Sequence, residues 1–173
     1  MVEKDPILEE YEAQVGKERL PQPCKWAAEM LMMQKVAWAG GDTNPLWWEE
    51  KYARNTCYGG IIASPMFLEW FVLRGNWPSQ RDAALTRRFG GHFAAGGKFR
   101  LRNVAGGKDC EYFLPIKPGD VISLSQKLKS VKKRWSKGLN TNIYILNDEL
   151  VLRNQYHQVV AIHRNSSIRI PEK

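Results

Sequence analysis

The sequence predicts an α+β fold, with an antiparallel sheet wrapped around a long apolar central helix. Three observations point there. Helical patterns fill the first part of the chain and strand patterns begin at about residue 97, a segregation that marks α+β rather than alternating α/β units. The segment MFLEWFVL (66–73) is apolar nearly all round, so a helix formed from it must be buried on most sides. Several long segments of alternating polarity follow, and antiparallel strands of that kind can supply the covering.

Residues 24–39, CKWAAEMLMMQKVAWA, form the first predicted helix, because Trp26, Met30, Met33 and Ala37 recur at helical spacing. That stripe suits a core, since methionine fills irregular gaps. Gly40-Gly41 ends the helix, as glycine takes the left-handed conformation common at helix C-termini. After the turn GDTNP, the segment PLWWEEKYARN (45–55) is a second short helix. Pro45 suits its first position, and Glu49 and Glu50 with Arg54 match the helix dipole. A loop containing Gly59-Gly60 precedes the central helix, which starts at Ser64-Pro65 with Ser64 as N-cap. RGNWPSQRD (74–82) breaks that helix.

The strand region opens with KFRLRNV, where Phe99 and Leu101 alternate with Arg100 and Arg102. KPGD (117–120) is a turn. VISLSQKLKSV, LNTNIYILNDELVLRNQ and QVVAIHRNSSIRI complete the antiparallel set. Asn147-Asp148 and Tyr156-His157 read as loop tips.

The chain's 173 residues suit one domain spanning 1–173. Hydrophobic content of 43% with 25% charged is ordinary for a globular protein. No apolar run approaches the roughly 20 residues of a membrane helix, and the charged N-terminus lacks a signal-peptide core. Cys24, Cys57 and Cys110 are odd in number and show no CxxC spacing, which argues against a disulfide framework or zinc motif. A cytoplasmic location is expected. The net charge of +8 fits either nucleic acid or a small polyanion such as a nucleotide-bearing carrier. The densest basic cluster, KLKSVKKRWSK (127–137), has one aromatic and reads as a solvated strand face.

The stretch GDTNPLWWEEKYARNTCYGGIIASPMFLEW resembles the MaoC-like hydratase/dehydratase family of the hot-dog fold, in its N-terminal dehydratase-like branch. FLPIKPGDVISL and RNQYHQVVAIHRNSSIRI are similar to that family's strand entry and closing hairpin. The resemblance implies reversible water addition to 2-enoyl thioesters of coenzyme A or an acyl carrier, with no metal or redox cofactor. It also implies dimers built by pairing two sheets. Basic charge would suit the carrier's phosphates.

Such chemistry needs a base for water, an acid for the α-carbon, and donors for the thioester oxygen. In the resemblance, Asp42 falls on the family's acid and Asn44 on its supporting amide. Trp47 stands where the family has histidine, and an indole N–H only donates. His92, His157 and His163 lie elsewhere in the motif map and are not expected to replace it. Where the family tends to place a glycine whose N–H points at the carbonyl, this chain has Pro65, which has no N–H. Losing one such donor costs about 100–1000-fold in rate, unless Ser64 or Met66 donates instead. Gly60, Ser64 and Met66 are expected at the substrate site, while Trp47, Phe67 and Trp70 are candidates for the acyl pocket or the dimer contact, against plain core packing.

The expected function is therefore an acyl-thioester-binding subunit of a heteromeric 2-enoyl-CoA hydratase or 3-hydroxyacyl dehydratase, active with a histidine-bearing partner. The alternatives are a self-sufficient hydratase using Asp42 and a non-enzymatic acyl-CoA-binding protein, as homodimer or heteromer. Neither nucleic acid nor membrane is an expected partner.

Overall fold

The computed structural model describes residues 5–24, 26–71 and 99–172. The continuation of the central helix past Phe71, the predicted break at 74–82, and His92 lie outside them. Strands β1 (Glu18–Pro23), β2 (Leu101–Tyr112), β3 (Ser123–Ser136), β4 (Thr141–Arg153) and β5 (Val159–Pro171) form one sheet in the order β1-β3-β4-β5-β2. Every neighbouring pair is antiparallel.

β4 shows why one sheet face is buried. Tyr144, Leu146, Asp148, Leu150 and Leu152 alternate with less buried neighbours, the period-2 signature of a sheet with one covered face. Leu150 and Leu152 stand opposite His163 and Ala161 of β5. Phe67, Leu68 and Phe71 from the start of the predicted central helix share one buried cluster with Leu150 and Leu152. That start is a 3₁₀ turn, Pro65–Phe67, which continues in helical conformation to Phe71.

The N-terminal elements α1 (Pro6–Glu12) and β1 carry little sequence signal. β1 reads ERLPQP, and two prolines disguise a strand; as an edge strand it tolerates the missing donors. Asp5 caps α1 by accepting from the Ile7 and Leu8 N–H groups at 3.1 Å. It also accepts from Tyr144 Oη at 2.9 Å and pairs with Lys133 at 2.6 Å. Beneath α1 lies a second small core of Tyr11, Leu128, Tyr144 and Leu146.

Three local expectations are corrected. The first helix, α2, spans Met30–Ala39 and does not begin at Cys24. The backbone before it is claimed by the KPGD turn: Cys24 N–H donates to Ile122 O at 2.7 Å and Ala28 N–H to Asp120 O at 2.8 Å. Those long-range bonds outcompete the helical ladder and leave Trp26 half exposed. The segment 45–55 is not one helix but a 3₁₀ turn, Pro45–Trp47, followed by α3 (Glu50–Arg54).

Asn147-Asp148 is not a loop tip but lies inside β4. Two adjacent polar residues imitate a turn in sequence, yet each finds a partner across the sheet. Asn147 Nδ2 donates to Ser130 Oγ at 3.0 Å. Asp148 accepts from Gln126 Nε2 at 3.1 Å and Asn165 Nδ2 at 3.3 Å, which makes its burial tolerable. The second expected loop tip, Tyr156-His157, is a turn, with His157 at φ 62°. The basic cluster 127–137 runs along β3, and Lys132–Trp135 near its hairpin end are exposed.

Candidate functional site

The loop 41–48 begins where α2 ends. Gly40 is the C-cap and Gly41 has φ +67°. The Asp42 N–H donates to Ala37 O at 2.9 Å and the Gly41 N–H to Trp38 O at 3.0 Å. This is the paired 6→1 and 5→2 closure of a Schellman motif, which needs a left-handed residue at Gly41. Gly41→Ala is expected to cost about 1–2 kcal/mol of unfolding free energy, measured by urea denaturation.

Asp42 Oδ1 accepts from the Asn44 backbone N–H at 3.2 Å, so the acid folds over its own turn. The Asn44 side chain accepts from the Leu46 N–H at 3.0 Å and thereby caps the 3₁₀ turn rather than reaching the Asp42 carboxylate. The Trp48 indole N–H donates to the Asp42 carbonyl at 3.0 Å. These bonds hold Asp42 at the edge of a cavity of about 410 Å³ shared with Trp38, Thr43, Pro45 and Trp48.

Trp47 turns the other way. It is buried and borders a separate cleft of about 230 Å³. The loop Ile62–Pro65 with Leu68 forms one wall of this cleft, and the run Tyr112–Ile116 with Val160 forms the other. The walls are fastened together. The Ala63 N–H donates to Ile116 O at 2.8 Å, and Tyr112 Oη donates to Pro65 O at 3.1 Å. Burial pushes the Tyr112 phenol up to about 12, so it stays a donor at neutral pH.

Two of the lining residues carry a polar side-chain atom that is buried without a hydrogen-bond partner among the described residues: Trp47 Nε1 and Ser64 Oγ. Ser64 does stand at the N-cap position of the helix, in extended conformation. Its hydroxyl caps nothing, however, so the side-chain capping expected from the sequence is corrected. Buried polar groups are nearly always paired, so these two atoms are exceptions. Among the described lining residues there is no Asp, Glu, His, Lys or Arg.

The remaining expected site residues, Gly60, Met66, Phe67 and Trp70, do not line the cleft. Gly60 is half buried. Met66 is half exposed and lies against bare Gly40 backbone, where a Cβ would stand 2.5 Å from its sulfur. Phe67 is fully buried in the core, stacked with Trp70 at 6.5 Å and edge-on to Phe71 at 5.2 Å. Trp70 is half buried against the same core. His157 sits on the turn between β4 and β5, and His163 lies within β5. Tyr112 and the run to Ile116 were not singled out from sequence. Their signal was the FLPIKPGD entry itself, which sits beside the strand that closes the cleft.

The arrangement has the architecture of known structures. The crystal structure of the ChsH1-ChsH2 complex from Mycobacterium tuberculosis aligns at TM-score 0.70 and 20% identity, over 96% of this chain and 93% of that one. The HadBC (3R-hydroxyacyl-ACP dehydratase) complex from the same organism aligns at 0.65 and 15%, over 90% and 96%. A MaoC-like dehydratase from Rhodospirillum rubrum aligns at 0.58 and 20%, over 92% and 94%. The fold is the hot-dog fold shared by MaoC-like dehydratases and R-hydratases.

The model of the FAS1-like, dehydratase domain region matches residues 30–163, more than half of the sequence. The chain belongs to this FAS1-like dehydratase-region family. Comparison with curated protein sequences gives no significant match. Among the described residues no helix is long and apolar enough to cross a membrane.

Proposed function

We propose that this chain is the acyl-thioester-binding subunit of a heteromeric 2-enoyl-thioester hydratase or 3-hydroxyacyl dehydratase, and that a partner hot-dog chain performs the proton transfers. One observation carries this reading. The cleft between Ile62–Pro65 and Tyr112–Ile116 is lined by Trp47 and Ser64, whose buried Nε1 and Oγ donors have no partner among the described residues, and by no described Asp, Glu, His, Lys or Arg, while Asp42 lines a different cavity. Donors without a proton carrier suit holding a thioester or amide oxygen, not adding water across a double bond. The volume of about 230 Å³ is below the roughly 300–1,000 Å³ of typical ligand pockets and favours a short acyl group or one segment of the carrier arm. Two of the similar structures are complexes named for two chains, which supports a second subunit here.

Coenzyme A thioesters are the proposed ligands, with no further cofactor for the hydration. The test follows the conjugated thioester absorbance of a short enoyl-CoA. The chain alone is expected to be inactive, and adding a family partner with an intact Asp/His pair is expected to give turnover. Robust turnover alone, abolished by Asp42→Asn, would establish the self-sufficient hydratase instead. Thioester binding with no hydration under any pairing would favour the non-enzymatic reading.

Trp47→His sharpens the point. It restores the missing residue type, yet the new imidazole would face a cleft that Asp42 does not line, next to a Pro65 that has no N–H to donate. The variant is expected to remain without hydratase activity in the same absorbance assay.

A further inference from the structure

Behind the cleft wall lies a cluster that the thioester reading does not use. Cys110 of β2 and His163 of β5 are cross-strand partners, and directly opposed residues project to the same face. Glu69, from the helix start, reaches the same point. One ligand-type atom from each of the three lies within 4.8 Å of the others.

His163 is the unusual member. Its side chain is 2% exposed, and both ring nitrogens lack a hydrogen-bond partner among the described residues. A buried imidazole normally donates one nitrogen and accepts at the other. Glu69 Oε1 stands 3.6 Å from Nε2, too far for a hydrogen bond. That separation does fit two ligands of one tetrahedral ion. Bonds of about 2.0–2.3 Å place neighbouring ligand atoms roughly 3.3–3.8 Å apart.

We propose that Glu69, Cys110 and His163 form a binding site for a divalent ion of the zinc class. The donor set of sulfur, imidazole nitrogen and carboxylate oxygen is the one zinc takes. One thiolate and one carboxylate balance a dication with the imidazole neutral, and Lys108, paired with the same carboxylate, leaves the cluster one positive charge over. Binding converts the Cys110 thiol to thiolate and releases one proton to solvent. Lys108 pairs with Glu69 Oε2 at 2.8 Å, which leaves Oε1 to the cluster. Glu69 is about a third exposed at 35%, so an ion has a way in.

The ion would tie the start of the central helix to β2 and β5. That helix start carries Ser64 and Leu68, and Tyr112 lies two residues beyond Cys110, so the metal would brace both walls of the cleft. The inference stands on its own geometry and does not depend on the thioester reading.

The test uses the full chain, stripped with chelator and titrated with Co²⁺ and then Zn²⁺. One equivalent of Co²⁺ is expected to give a thiolate-to-cobalt charge-transfer band that Zn²⁺ displaces. Saturating Zn²⁺ is expected to raise Tm by roughly 5–10 °C. Cys110→Ser, a half-buried and nearly isosteric change, should lose the band and weaken binding by roughly 100-fold or more, beyond what a merely supporting residue costs. Glu69→Gln should weaken binding while leaving the fold intact by circular dichroism, and Cys57→Ser should change nothing. No band in the unmodified chain, or a band that survives Cys110→Ser or vanishes in Cys57→Ser, overturns the proposal.

Discussion

Phe67→Ala is expected to lower the unfolding free energy by about 3–5 kcal/mol, the largest single-residue stability effect among the candidate site positions. The ring is fully buried, stacks in parallel with Trp70 and meets Phe71 edge-on. Removing it deletes transfer energy, leaves a cavity and breaks two aromatic contacts. The buried cluster that would have to close the space also holds Met33, Leu150 and Leu152, and strand residues cannot move without disturbing their ladders. Urea denaturation reads the loss directly, and thermal melts should show a Tm fall of roughly 6–20 °C. A change below about 1 kcal/mol would mean that the ring lines a pocket instead of filling the core. Phe67 was a candidate for the acyl pocket on sequence grounds, and this measurement separates the two roles.

The second large effect concerns binding and has opposite signs in two assays. Ser64→Ala is expected to weaken short enoyl-CoA binding by roughly 3–10-fold, the worth of one neutral hydrogen bond. The same substitution is expected to raise the stability of the free chain by about 1 kcal/mol, because it removes a buried hydroxyl with no partner among the described residues. Trp47→Phe removes the other orphan donor while keeping most of the ring, and a similar loss of affinity should follow. In the double variant the two losses combine to roughly 10–100-fold. Tryptophan fluorescence titration measures the first variant and isothermal calorimetry both. If Ser64→Ala gains stability but keeps full affinity, its hydroxyl takes no part in recognition.

Local chemistry was legible in the chain where the deciding partners were near in sequence. Gly40-Gly41 closes α2 because the Schellman bonds span six residues, from Ala37 to Asp42. The Asp-x-Asn-Pro turn forms because Asp42 and Asn44 each accept from an N–H two residues on. The run LNTNIYILNDELVLRNQ was legible as strand, though not as one unbroken strand. Legibility failed where distant residues competed. The 24–29 segment has helical spacing, yet its backbone is taken by Ile122 and Asp120. Asn147-Asp148 has turn composition, yet Ser130, Gln126 and Asn165 satisfy both side chains inside a strand. Ser64 has the identity of a cap and the position of one, but its hydroxyl is buried without a partner among the described residues.

The sequence by itself determined the family frame, the acid at Asp42, the indole at Trp47 and the absent donor at Pro65, because these are matters of residue identity and short-range spacing. Only the tertiary structure decided which cavity each side chain faces. It sends Asp42 and Trp47, five positions apart, to different cavities. It brings Glu69, Cys110 and His163 within 4.8 Å although 94 positions separate the first from the last (163 − 69). The physical reason is the same in both cases. A hydrogen-bonded turn depends on neighbours a few bonds away. The convergence of side chains depends on the β2–β5 register and on how the helix start docks against it, which no local pattern in the sequence encodes.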